Sequence, residues 1–132
     1  FKVYYNIMFN QNIKNLASEN KNFRKVVSTG KYSQLVVMSI PPGEDIGNEV
    51  HETIDQILFI VAGVGKSIIN NSEEQEVGTD FAFFVPAGTW HNFINTGSTD
   101  LKLFTIYSPP GHKDGTVHTT KEEAEKDEND HY

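Results

Sequence analysis

Two short stretches hold the side chains best suited to chemistry. HETIDQ, residues 51 to 56, sets His51 two positions after Glu49 and five ahead of Gln56, and the apolar run ILFIVAG follows at once. PAGTWHNFIN, residues 86 to 95, adds His91 just after a proline- and glycine-containing turn. Imidazole nitrogen and carboxylate or amide oxygen are donors that a divalent cation accepts. The chain has no cysteine, so any metal must be held by nitrogen and oxygen alone. The same absence excludes disulfides and a cysteine nucleophile.

For these groups to meet, strands must aim them. Side chains two apart on a strand share a face, so a strand over 49–53 would point Glu49, His51 and Thr53 one way and Val50 and Glu52 the other. A bend at Ile54 and Asp55 would let Gln56 face the same interior, with Leu58 and Ile60 continuing inward. His91 would share its face with Phe93 and Asn95, and the two histidines could then meet across a barrel.

The rest of the chain supports that architecture. Nine short β-type runs are expected at residues 23–27, 34–40, 49–53, 57–62, 65–70, 73–77, 80–85, 91–95 and 101–107. Pro41, Pro42 and Gly43, Asn70 and Asn71, Pro86 to Gly88, and Thr96 to Ser98 separate them. Many short strands between turn signals indicate a sandwich or barrel. Helix is expected only at the ends, weakly over 12–19 and more clearly from Lys121 to about Glu128, where Thr119 with Glu122 or Thr120 with Glu123 would form a capping box.

With 132 residues, 37% of them hydrophobic, the chain suits one compact domain. Residues 1–120 read as a single barrel domain and 121–132 as an acidic helix or tail. That tail carries six acids against two lysines, net −4 of the total −7. It offers almost no apolar area, so it is expected to be dispensable. The eleven basic residues are scattered, apart from Arg24 beside Lys25, which argues against nucleic acid as a partner. No segment has the length of a membrane span, and the opening FKVYYNIMFNQ lacks the apolar core and cleavage site of a leader; the protein is expected to be cytoplasmic, with no membrane partner.

These motifs resemble those of the cupin superfamily. Its first motif, G-x5-H-x-H-x4-E-x6-G, is matched in spacing by Gly43, Glu49, His51, Gln56 and Gly63, and its second, P-x-G-x2-H-x3-N, by Pro86, Gly88, His91 and Asn95. The likeness spans about residues 34 to 107 and is closest to small single-domain bacterial cupins labelled mannose-6-phosphate isomerase-like. It implies an all-β double-stranded β-helix, a jelly-roll barrel, with a short C-terminal helix added here. It also implies metal ligands at Glu49, His51, Gln56 and His91 around one divalent transition metal, Mn, Fe, Ni or Zn. Glu49 replaces the first histidine of the pattern and Gln56 its glutamate, so the carboxylate has changed places and the charge is kept. Gln56, a weaker donor, would bind loosely or hold a water or substrate. The glycine expected before the second motif is Asp80.

Each reading has a plainer rival. Glu49 and His51 could be exposed or packed strand residues. His112 and His118 follow Pro109 and Pro110 and read as surface histidines, with proton-shuttle or pocket-mouth roles as the alternative; His131 reads as irrelevant. Phe81, Phe83, Phe84, Trp90 and Phe93 read as core and outer packing, with Phe83 or Phe93 also able to wall a ligand pocket.

An open-sided metal would suit an oxygen-chelating small molecule, acted on by dioxygenase-type chemistry or by isomerisation with Glu49 or a metal-held hydroxide as base. A sugar phosphate is disfavoured, because no obvious basic pair within the expected strands faces Glu49 and His51. The rival from another class is a non-catalytic metal or small-molecule sensor with the same ligands. The resemblance further suggests a homodimer.

Overall fold

A computed structural model describes residues 8–130. Their elements are α1 (Ile13–Glu19), β1 (Arg24–Thr29), β2 (Gln34–Ile40), β3 (Asp55–Ala62), β4 (Val64–Ile69), β5 (Glu73–Gly78), β6 (Ala82–Val85), β7 (His91–Asn95), β8 (Leu101–Ser108), β9 (Val117–His118) and α2 (Lys121–Lys126). The strands form a six-stranded sheet in the order β6-β3-β8-β2-β1-β9 and a three-stranded sheet in the order β5-β4-β7. All strand pairs are antiparallel.

Alternation along the strands builds the core. On β8, Leu101, Leu103, Thr105 and Tyr107 are buried while the residues between them are half-buried. On β3, Gln56, Leu58 and Ile60 point inward as expected, and Ile57 is exposed. They pack with Val36, Met38, Ile40 and Phe93 into one apolar cluster. Burying a side chain of this size contributes about 1.5–3 kcal/mol. Of the aromatic set, only Phe93 is fully in the core; Phe81, Phe84 and Trp90 are exposed. No helix among the described residues is long and apolar enough to cross a membrane.

Eight of the nine expected runs coincide with strands. Residues 49–53 do not: Glu49 makes an isolated bridge to His91, and the chain turns at 52–53. Gly47, at φ 104°, breaks the extended path just before Glu49, so there is room for one pairing only. Conversely, β9 was not expected. It is two residues long, with Arg24 opposite His118 and Lys25 opposite Val117, too short for any periodicity to show.

The ends also differ from expectation. Asn12 caps α1, accepting from the Asn15 amide at 3.0 Å, and Thr120 caps α2, accepting from the Glu123 amide at 3.2 Å. The acidic segment is not a loose appendage. His118 Nε2 donates to Asp127 at 2.9 Å, His112 Nδ1 donates to Asp130 at 2.7 Å, Lys121 bonds to Asp45, and Ala124 packs against the core. His112 and His118 are therefore not surface histidines; they are 6% and 3% exposed. The tail's own carboxylates hold them, a pairing that the sequence order conceals. His131 lies outside the described residues.

Candidate metal centre

Glu49, His51 and His91 converge: one donor atom from each lies within 4.8 Å of the others. Backbone pairing places two of them. The Glu49 amide donates to the His91 carbonyl at 3.0 Å, and the His91 amide returns a bond to the Glu49 carbonyl at 2.9 Å. The turn before β7 places the third, since the Gly88 amide donates to the His51 carbonyl at 2.8 Å. Gly88 holds a φ of 82°, which a Cβ would oppose. Its place in the second motif thus ties that motif to His51. Asp80, standing where the pattern has glycine, keeps a positive φ of 71°, a conformation that aspartate tolerates better than most residues.

His51 and His91 are 4% and 1% exposed, with ring centroids 5.2 Å apart. The His91 Nδ1 faces the Thr89 carbonyl at 2.9 Å. A carbonyl can only accept, so Nδ1 carries the proton and Nε2 keeps its lone pair. Nε2 is buried without a hydrogen bond. The Glu49 Oε1 is also buried without one, 3.7 Å from His51 Nε2. Phe93 and Tyr107 lie against the rings, Phe93 at 6.4 Å from His91 and Tyr107 at 5.9 Å from His51.

Gln56 enters by a different route. It sits opposite Tyr107 in the β3–β8 ladder, and paired residues project to the same side, so its amide faces the interior that holds His51. The Thr105 hydroxyl donates to the Ile57 carbonyl at 2.9 Å and must therefore accept from Gln56 Nε2, at 3.0 Å. That fixes the amide with Oε1 turned away from Thr105, buried and without a hydrogen bond.

Electrostatics fit a cation. Burial pushes the Glu49 carboxyl up, but His51, Arg24 and His91 outweigh it and hold it below the usual carboxylate range. Burial pushes His91 below its usual value, only partly opposed by the Thr89 carbonyl and Glu49. An ionised carboxylate and a neutral imidazole are the forms a metal binds. Buried polar atoms without partners are costly, and an ion would satisfy the Glu49 Oε1 and the His91 Nε2 together. The residues present therefore fit a divalent metal.

Asn95, the last residue of the second motif, has a structural part. Its Nδ2 donates to the Ile40 and Thr99 carbonyls, each at 2.8 Å, and its Oδ1 accepts from the Gly97 amide. The sequence reading missed Thr105, Thr89, Tyr107 and Arg24. The first three act through a hydroxyl, a carbonyl and a ring, none of which has a spacing signature. Arg24 on β1 and Lys121 on α2, the latter bonded to Asp45, line a cavity that Glu49 also walls.

A cupin domain model matches residues 36–107, more than half of the chain. The chain is 48% identical over 118 residues to YrkC of Bacillus subtilis, covering 86% of this chain and 63% of that protein's length. The crystal structure of BH2720 from Bacillus halodurans superposes with a TM-score of 0.89 at 44% identity, covering 90% of this chain and 94% of that one. A predicted oxalate decarboxylase from Thermotoga maritima superposes at 0.56 with 28% identity, covering 61% of this chain and 69% of that one. Two antiparallel sheets, both motifs in register and a Glu/His/His cluster at their meeting point place this chain in the cupin family, as a small cupin barrel with a short C-terminal helix.

Proposed function

We propose that the chain binds one divalent transition metal, Mn, Fe, Ni or Zn, through Glu49, His51 and His91, with Gln56 as a fourth and weakest donor. It then acts as a small-molecule enzyme of oxygenase or isomerase type on an oxygen-chelating substrate. The observation that carries this reading is the convergence of the three donors within 4.8 Å, with the Glu49 and His91 donor atoms buried and without hydrogen bonds. The likeness to a protein described as a predicted oxalate decarboxylase agrees with a small, oxygen-rich substrate.

Bound there, the ion would polarise a chelated oxygen, or with iron or manganese support chemistry with O2. The chain's own residues do the rest. Thr89 fixes the His91 tautomer, Thr105 fixes the Gln56 amide, and Phe93 and Tyr107 pack against the two imidazoles in T-shaped contacts. Glu49 is the acceptor for a proton leaving a substrate, being ionised and at the edge of a cavity.

A non-catalytic sensor has one observation in its favour. His112, the other histidine beside Tyr107, gives its Nδ1 to Asp130 and not to the centre. Elemental analysis of protein purified without added metal, followed by O2-consumption and sugar or keto-acid isomerisation screens, decides between them. One divalent ion per chain with turnover is expected; an ion without turnover selects the sensor. No ion, with a melting curve that chelator leaves unmoved, would sink the metal reading.

A further inference from the structure

Glu49 meets His91 because the chain slips by one residue just before it. From Gly43, whose amide donates to the Asn95 carbonyl at 3.0 Å, the chain runs antiparallel along β7, with Asp45 bridged to Ile94 and Glu49 bridged to His91. Three residues, Ile46 to Asn48, therefore stand against two, Asn92 and Phe93. One extra residue against a partner strand is a β-bulge. Without it the register set at Asp45 would carry on, and Asn48 would lie opposite His91. The centre would then meet a neutral amide in place of a carboxylate. In the bulged form Asn48 is exposed, and its amide donates to Asn71 at 2.7 Å.

Gly47 permits the slip with its φ of 104°, and Asn92 holds it. Asn92 is 8% exposed and sits on β7, paired from the far side with Ile68 of β4. Its Oδ1 accepts from the Gly47 amide at 3.0 Å, and its Nδ2 donates to the Asp45 carboxylate at 2.9 Å. One bond grips the residue where regular pairing ends, the other the glycine where the chain departs. Asparagine carries a donor and an acceptor on one short side chain, which this clasp requires. Asp45 is fixed in turn by Lys121 of α2. Resting on the reading of Glu49 as a metal ligand, we infer that Asn92 is a positioning residue of the metal centre: by clasping the bulge it selects Glu49, and not Asn48, as the residue that meets His91.

The test uses the full chain, first treated with chelator and followed by amide hydrogen exchange. The Glu49 and His91 amides, which donate to each other's carbonyls at 3.0 and 2.9 Å, report the register directly. Asn92→Ala should speed exchange at both by about tenfold or more, while the amides of the β2–β8 ladder stay within about twofold of wild type. Asn92→Asp combined with Asp45→Asn, which exchanges donor and acceptor and keeps both bonds, should restore protection. Asn92→Asp alone keeps an acceptor for Gly47 but sets a carboxylate against Asp45; it should fall between, and it serves if Asn92→Ala does not fold. Zinc titration is the second arm. Asn92→Ala should weaken zinc about tenfold on its own and by less than about twofold beside Glu49→Gln, because the lost clasp acts through that carboxylate. Unchanged exchange at Glu49 and His91, or acceleration that spreads equally through β2 and β8, overturns the inference, and so does an equal loss of zinc affinity with and without Glu49→Gln. Wild-type protein that takes up no zinc sinks the metal reading alone; the exchange arm then still decides whether Asn92 sets the register.

Discussion

At the scale of single residues, the centre depends on atoms that have only one thing left to do. The His91 Nε2 is the lone-pair nitrogen because Thr89 takes the Nδ1 proton, and the Gln56 Oε1 points inward because Thr105 can only accept from the amide nitrogen. His51→Ala and His91→Ala should therefore each strip most of the bound metal, leaving oxygen donors and a single nitrogen. Glu49→Gln should weaken binding by removing the charge that neutralises the ion. Gln56→Ala should cost less, since water can replace an amide, and Gln56→Glu should tighten the metal. Metal per chain across the five variants gives this order; a packing role for these residues predicts losses of melting temperature that chelator does not change. Thr105→Val tests the amide lock separately, with metal affinity expected to drop about 10- to 100-fold while the fold persists.

At the scale of elements, the turns carry the site and the strands carry the turns. Gly88 uses a φ of 82° to bring its amide to the His51 carbonyl. Gly88→Ala should cost about 1–2 kcal/mol from the left-handed backbone alone, and should lower metal affinity as well because His51 loses its support. Gly65 has a different constraint: a Cβ there would lie 2.5 Å from the Ile94 carbonyl, across the β4–β7 pair. Gly65→Ala should destabilise by about 1–3 kcal/mol in chemical denaturation, as overpacking does, by pushing β7 and with it His91 out of place. A wild-type midpoint for either variant would show that the glycine concerned does not hold the centre.

At the scale of the whole molecule, the acidic tail is tied to the barrel through polar anchors. Truncation after Thr120 removes Asp130, Asp127 and Lys121 together, leaving His112 and His118 buried without these carboxylates and Asp45 without its lysine. The melting temperature should fall clearly, where a solvated tail would leave it unchanged. The pH dependence follows from the same contacts. Burial pushes His112 below 6.5, more than Asp130 lifts it, so folding favours its neutral form. Its contribution is full above about 6.5 and declines as pH falls toward the folded value. Asp130 is pushed up by burial but held below 3.8 by His112, the Lys113 amide and Arg24, so its contribution is present above 3.8 and lost as pH falls through its folded value. In chelator, stability should thus drop on the acid side in two stages, and Asp130→Asn should flatten the lower one. A melting temperature that rises on acidification would contradict both assignments.

The sequence by itself determined most of the strands, the two motifs and which side chains could serve as donors. Alternation on β3 and β8 is a local property of the chain, and so are the glycine and proline turns that fix the register around His51 and His91. Spacing was enough to single out Glu49, His51, Gln56 and His91, but it gave the wrong local reason for Glu49, which meets His91 through one isolated bridge and not as part of a strand. Tertiary structure decided what depends on distant partners. Asp130 lies 18 residues from His112 and Thr105 lies 49 from Gln56, distances along the chain that no periodicity reports. For the same reason a tail that looks like solvated helix by composition proves to be bound, and Arg24, set apart in the sequence only as a neighbour of Lys25, is buried on a wall it shares with Glu49: a charge shows its role only when folding has removed the water around it.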